Sequence, residues 1–246
     1  MQFKSPGAIR DHALPDSSTP HETSLNAVLR PIVFGANDGL VSNLALVMGV
    51  AGADPAPSVI VLAGVAGLIA GAFSMGVGEY ISVRSQRELL DYQIAFQGKQ
   101  LREVPEQERQ ILERAYLDRG FTPEQASTFV DAVFTNGDHA IRQLIFEEVG
   151  LDERSIGSPL NAAVGSFAAF VAGALVPLVP YLLWSGSLAF FASLLASLVA
   201  LAVLGVGISR LTRRSPVFSA VRQVALGGVA AAVTFAVGRF IGVQMT

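Results

Sequence analysis

The sequence predicts an all-α membrane protein with five transmembrane helices and a helical cytosolic domain between spans 2 and 3. Three observations lead there. Only 15% of the 246 residues are charged and 51% are hydrophobic, with a positive mean hydropathy; soluble domains carry about 25% charge. The charge that exists is concentrated: fourteen of the twenty acids and nine of the seventeen bases fall between Arg84 and Ser158, and no acid follows Glu153. Outside that window, five stretches are long and apolar enough to cross a hydrocarbon core about 30 Å thick, which takes roughly 20 helical residues.

The elements follow in order. Residues 1–30 mix Ser, Pro, His and both charges. They read as a polar N-terminal arm, with no apolar run of signal-peptide type. Residues 31–83 hold spans 1 and 2: Pro31 to Ala53, interrupted by Asp38, and Ser58 to about Val83, uncharged until Glu79. Residues 84–158 form the insert. Its first helix continues span 2 from Tyr80 to about Arg102 and projects out of the bilayer. Pro105 opens a second helix, which Gly120 ends. Thr122-Pro123-Glu124-Gln125 has the capping-box form, Thr122 as N-cap and Gln125 at N3. That helix stops near Asn136-Gly137, and Asp138 can cap a last helix ending at Gly150. Residues 159–246 hold spans 3 to 5: Pro159 to Trp184, Ser187 to Ser209 and Pro216 to Val243. Pro177 and Pro180 should kink span 3.

The loops set the orientation. AGADPAPS after span 1 and WSGS between spans 3 and 4 contain no Lys or Arg. The opposite side carries the insert, which opens with Arg84 and Arg87, together with Arg210, Arg213 and Arg214. By the positive-inside rule the insert and N-terminus are cytosolic and the C-terminus lies outside. Cysteine is absent, which excludes disulfides and thiolate metal sites. The acidic balance argues against nucleic acid as a partner. No nucleophile–base pair, phosphate loop or HExxH appears, so an enzyme is not expected.

Two acids sit at membrane depth, Asp38 and Glu79. Each costs about 2.5–3.5 kcal/mol at a helix centre, so each is expected to face an aqueous path or a bundle interior. Met75 and Glu79 are four apart and share a helix face. A carboxylate plus a thioether suits a borderline first-row divalent cation. Asn37, Ser42 and Asn43 add oxygens on span 1. Gly35 and Gly39 keep that segment slim, as packing against a second copy would need. Gly71, Gly76, Gly78 and the GLIAG pattern (residues 67–71) leave room for close approach on span 2. Arg222 either snorkels to the interface or pairs with Glu79.

IVFGANDGLVSNLALVMGVAGA, GAFSMGVGEYISVRSQREL and the final RQVALGGVAAAVTFAVGRFIG together resemble the vacuolar iron transporter family, which includes nodulin-like proteins. The similarity runs from about Leu29 to Val243. It implies a five-span homodimer that exports Fe²⁺, often Mn²⁺ as well, from the cytosol in exchange for protons, with no tightly bound cofactor. Family pore residues carry over to Asp38 and Met75, and Glu79 matches the family's GEY sequence. The resemblance also implies metal-binding glutamates in the insert. Here the first cytosolic helix carries Gln93, Gln97 and Gln100 instead. The remaining candidates are Glu103, Glu106, Glu108, Glu113, Glu147 and Glu148, of which Glu108 and Glu148 are favoured; His139 is expected on the surface.

The expected metal ligands are therefore Asp38, Met75, Glu79, Asn43, Glu108 and Glu148, and the expected partners are divalent metal ions, protons, the lipid bilayer and a second copy. A bacterial inner membrane is the expected location. Rival readings are a passive cation channel and a non-transporting metal sensor or storage factor.

Overall fold

The computed structural model describes residues 20–135, 137, 140–144 and 157–245. All of its regular structure is helical, with no strand among the described residues. Five helices have the length and composition of spans. The first, α1 (Pro20–Gly52), passes through Pro31 and begins eleven residues earlier than the polar arm suggests. α2 (Pro57–Glu103) is 47 residues long, about 70 Å at helical rise. That is more than twice a hydrocarbon core, so its second half must leave the bilayer.

α2 ends where Pro105 begins the next helix. A residue before proline is pushed out of the α region, and Val104 has φ −137° and ψ 55°. α3 (Pro105–Asp118) is closed by Gly120, whose φ is +91°. α4 (Pro123–Phe134) carries the expected capping box: the Gln125 N–H donates to Thr122 Oγ1 at 3.3 Å, and the Thr122 N–H donates to Gln125 Oε1 at 3.0 Å. Residues 140–144 are again helical. Leu112, Val130 and Leu144 form a small buried core, against which Leu101 of α2 and Tyr116, Val133 and Phe134 pack. The insert is thus a helical domain with its own core, fastened to the end of α2. The expected cap at Asp138 and helix end at Gly150 lie outside the described residues.

The chain then returns through α5 (Pro159–Leu183), α6 (Gly186–Thr212) and α7 (Pro216–Met245). α5 is the hub, packing most extensively on α1 and then α2, while α1 also meets α7 and α6 lies along α7. Leu40, Leu44, Val47, Met48, Tyr181 and Leu201 make the main core. α5 runs unbroken through Pro177 and Pro180, both buried. The Ser193 hydroxyl of α6 donates to the Pro177 carbonyl at 2.6 Å, giving that stretch of backbone a partner from a neighbouring span.

The crossing of α1 and α5 depends on missing side chains. A Cβ on Gly39 would run into the Phe170 carbonyl, and one on Gly173 into the Ala36 carbonyl. Gly39, and Gly35 one turn earlier, therefore serve contact with α5 inside the same chain rather than contact with a second copy. Asp38 and Ser42, one residue away from that contact face, remain exposed. Large apolar side chains also face outward along the spans, among them Leu62, Phe191, Val203, Val229 and Phe240. A soluble surface does not carry apolar area of this extent.

Candidate metal centre

Helical periodicity brings the polar residues of the first two spans together. α1 supplies Asp38, Ser42, Asn43 and Leu46; α2 supplies Gly67, Gly71, Ser74 and Met75; Phe170 of α5 closes one wall. They line a cavity of about 240 Å³. Asp38 lies nine residues into the apolar part of α1, which runs from Leu29 to Gly52. That places it about 14 Å from one end and 21 Å from the other, well inside the hydrocarbon zone.

Asn43 is the best-positioned polar group there. It is 2% exposed, and its Nδ2 donates to the Ala174 carbonyl at 2.7 Å. Its Oδ1 is buried without a hydrogen-bond partner among the described residues. An orphaned amide oxygen costs on the order of 1–3 kcal/mol. It is explained if something electropositive visits the cavity. The bond to α5 holds the side chain with its oxygen on the side away from Ala174. Ser42 is similar on a smaller scale. Its hydroxyl donates to the Asp38 backbone carbonyl at 2.5 Å, which uses its hydrogen and leaves oxygen lone pairs to accept.

Asp38 has no ion-pair partner among the described residues and is exposed at the open side of the cavity. Met75 is partly buried beside Ala72, Phe170 and Ala174, so it both packs the core and lines the cavity. Four oxygen-bearing side chains and one thioether therefore converge, a donor set that fits a borderline divalent cation. Ser74 and Phe170 were not singled out from the sequence. Ser74 adjoins Met75 on the cavity side of α2, but nothing in its local pattern marks it. Phe170 belongs to a span 132 residues further along the chain than Asp38.

Of the other expected ligands, Glu79 and Glu108 do not join this group. Glu79 lies one turn beyond Met75 and does not line the cavity. It makes no ion pair with Arg222, which is exposed, and the nearby Arg84 is held by Glu88 at 2.7 Å. Glu108 is in the insert, 4% exposed in the first turn of α3. Of the exposed acids nearby, Glu103 pairs with Lys99 at 3.8 Å. Arg109 pairs with Asp131 across α3 and α4, and that hydrogen bond holds the guanidinium pKa above its ordinary value. No group of three His, Asp or Glu suited to a metal is found among the described residues. Glu147, Glu148 and His139 lie outside the described residues.

Five helices that turn apolar faces outward, three of which line an acid-bearing cavity within their apolar stretches, define an integral membrane protein. The VIT family model matches residues 29–239, and the chain belongs to that family. Curated relatives include vacuolar iron transporter 1 of Arabidopsis thaliana, 28% identical over 227 residues, covering 92% of this chain and 91% of the relative. Vacuolar iron transporter 1 of Eucalyptus grandis is 27% identical over 96% of both chains. The vacuolar iron transporter of Plasmodium falciparum is 28% identical over 85% of this chain and 81% of its own length.

Proposed function

We propose that this protein is a divalent metal transporter that carries Fe²⁺, and Mn²⁺ with it, from the cytosolic insert side to the opposite side in exchange for protons. One observation carries the reading: Asp38, Asn43 and Met75 meet in a single cavity at span depth, with the Asn43 oxygen unpartnered and its orientation fixed from α5. Membership of the family and the names of the relatives supply the metal.

A single copy leaves the Asp38 carboxylate facing outward at mid-bilayer, at a cost of about 2.5–3.5 kcal/mol. A homodimer joined along the exposed face of α1, which carries Phe34, Asp38, Ser42 and Leu46 at four-residue intervals, removes that cost. It pairs two half-cavities into one path with two carboxylates. The cation passes Glu79 at the interface, exchanges some of its water for Met75, Asn43 and Asp38, and leaves on the far side when Asp38 is protonated. Ligands must be deprotonated to bind metal, so metal and proton compete for the same oxygen.

The test is metal uptake into proteoliposomes under an imposed pH gradient. An exchanger drives Fe²⁺ and Mn²⁺ uphill, and dissipating the gradient stops accumulation. Uptake that only follows the metal gradient would identify a channel. Uptake that is absent altogether, from protein shown to be folded and inserted, would leave a sensor or storage role.

A further inference from the structure

The end of the bundle remote from the insert holds a second, larger cavity, about 460 Å³ in volume. Its walls include Asp54, Ile60, Tyr181, Ser187, Phe190 and Phe235. It lies among the α1–α2 turn, the α5–α6 turn and α7, and shares no lining residue with the mid-depth cavity.

Three features of this cavity go beyond the packing of Tyr181, Phe190 and Phe235 on the main core. Tyr181 is 7% exposed, and its hydroxyl is buried with no hydrogen-bond partner among the described residues. A buried phenol normally finds a partner, so this one is aimed at something the fold does not supply. Phe190 and Phe235 stand 5.5 Å apart between centroids and are inclined by 56°, bringing two rings from different spans into the cavity wall. Asp54 is the one charged residue among those lining the cavity. It sits at φ 54° in a turn that contains no Lys or Arg. Arg239 of α7 lies towards the same end but is exposed and is not part of the lining.

We propose that this cavity binds an organic ammonium group. Three aromatic rings and one carboxylate form the recognised chemistry for such a cation: the rings attract it through their electron-rich faces, and the carboxylate neutralises it. The Tyr181 oxygen accepts from an ammonium N–H, or its hydrogen donates to an oxygen attached to the same molecule. A transition-metal dication is a poor occupant, because the walls are mainly carbon and the oxygens are few. The volume falls in the range of small-molecule sites, roughly 300–1,000 Å³. Ethanolamine or choline chemistry could arrive free in solution or as a phospholipid headgroup.

The chain carries its own reporter. Trp184 is the single tryptophan, three residues beyond Tyr181 and half-exposed. The full chain in a neutral maltoside micelle is titrated with ethanolamine hydrochloride and choline chloride at constant ionic strength, with NaCl and MnCl₂ as controls. In parallel, native mass spectrometry compares retention of phosphatidylethanolamine and phosphatidylglycerol by protein released from mixed nanodiscs. Saturable change in Trp184 emission with a soluble ammonium identifies a site for the free cation. Preferential retention of phosphatidylethanolamine without that change identifies a headgroup site. Both support the proposal when Asp54→Asn weakens the response about tenfold and Phe190→Leu also weakens it. Asn is isosteric with Asp and tolerates positive φ, so Asp54→Asn preserves the turn. Tyr181→Phe removes only the hydroxyl and should weaken binding about threefold, a smaller loss than that of the charge. The proposal is overturned if neither arm responds, if the Asp54→Asn protein responds as the parent does, or if MnCl₂ alone saturates.

Discussion

The insert and the mid-depth cavity hold their acids in opposite ways. The insert has fourteen of the twenty acids, yet its described residues bring no three together for a metal. Several are engaged in surface pairs such as Arg84–Glu88, Lys99–Glu103 and Arg109–Asp131, where solvent screens the attraction. The cavity has one acid, and around it stand Ser42, Asn43, Ser74 and Met75. Water screens the first set and dilutes the effect of any one member. Hydrocarbon amplifies the second, because a lone charge in a low-dielectric setting acts strongly on whatever enters. The two regions therefore differ in dielectric setting as much as in their number of acids.

The sharpest way to break this contrast is to neutralise Asp38. Asp38→Asn keeps shape and hydrogen-bonding capacity but removes the charge. Uptake of Fe²⁺ in proteoliposomes should fall more than about 100-fold, since losing a full charge beside a dication costs several kcal/mol and each 1.4 kcal/mol is tenfold. Changing Glu103 and Glu106 together to Gln should reduce uptake by no more than about twofold. Their effect is long-range attraction, which 0.5 M salt should also remove. If the double variant in the insert proves the more damaging, the contrast is inverted and the insert is the site of selection.

Next in size is Asn43→Leu. It removes the orphaned oxygen and also the bond to Ala174. The loss of one oriented ligand is expected to lower uptake about tenfold. Asn43→Asp should behave differently, since it adds a second carboxylate where a cation sits but loses the donor that orients it. Measuring the apparent metal affinity of both, alongside the melting temperature, separates ligation from packing. An Asn43→Leu protein that transports normally would remove Asn43 from the site.

The sequence made much of this legible, and for physical reasons. Span lengths, the extension of α2 and the Thr122 capping box follow from local rules of length, composition and donor satisfaction. Asp38 stands out because membrane depth makes a carboxylate expensive, whereas Met75 stands out only by its four-residue spacing from Glu79 and by the family resemblance. What stayed hidden depends on partners distant in the chain. Gly35 and Gly39 signal a close approach, but nothing local says that the approaching backbone is Phe170's on α5. The orientation of Asn43 is set by a carbonyl 131 residues away. Glu79 carried a recognisable motif, but its place one turn below the cavity depends on how far α2 slides against α1. The polar composition near residue 20 concealed a helix start, because polar residues form helix outside the bilayer as readily as loop.

The smallest expected effect tests how finely the cavity is fitted. A Cβ at Gly67 would meet the Leu46 side chain and lie 3.2 Å from Asn43 Oδ1. Leu46 is partly exposed and free to rotate away. Asn43 is tied to Ala174 and is not. Gly67→Ala should thus leave the fold intact while crowding the Asn43 oxygen, lowering uptake about threefold, the order expected from a fraction of a hydrogen bond's worth of strain. Gly39→Ala is the control with the opposite balance. Its Cβ would meet the Phe170 backbone, which has no side-chain freedom to yield, so overpacking should cost about 1–3 kcal/mol of stability. The two alanines differ in what they strike, one a cavity ligand and the other a helix–helix crossing. Thermal melting and uptake measured on both should move in opposite order. Equal loss of stability in both would mean that the cavity is ordinary core, with no room kept open for a passing ion.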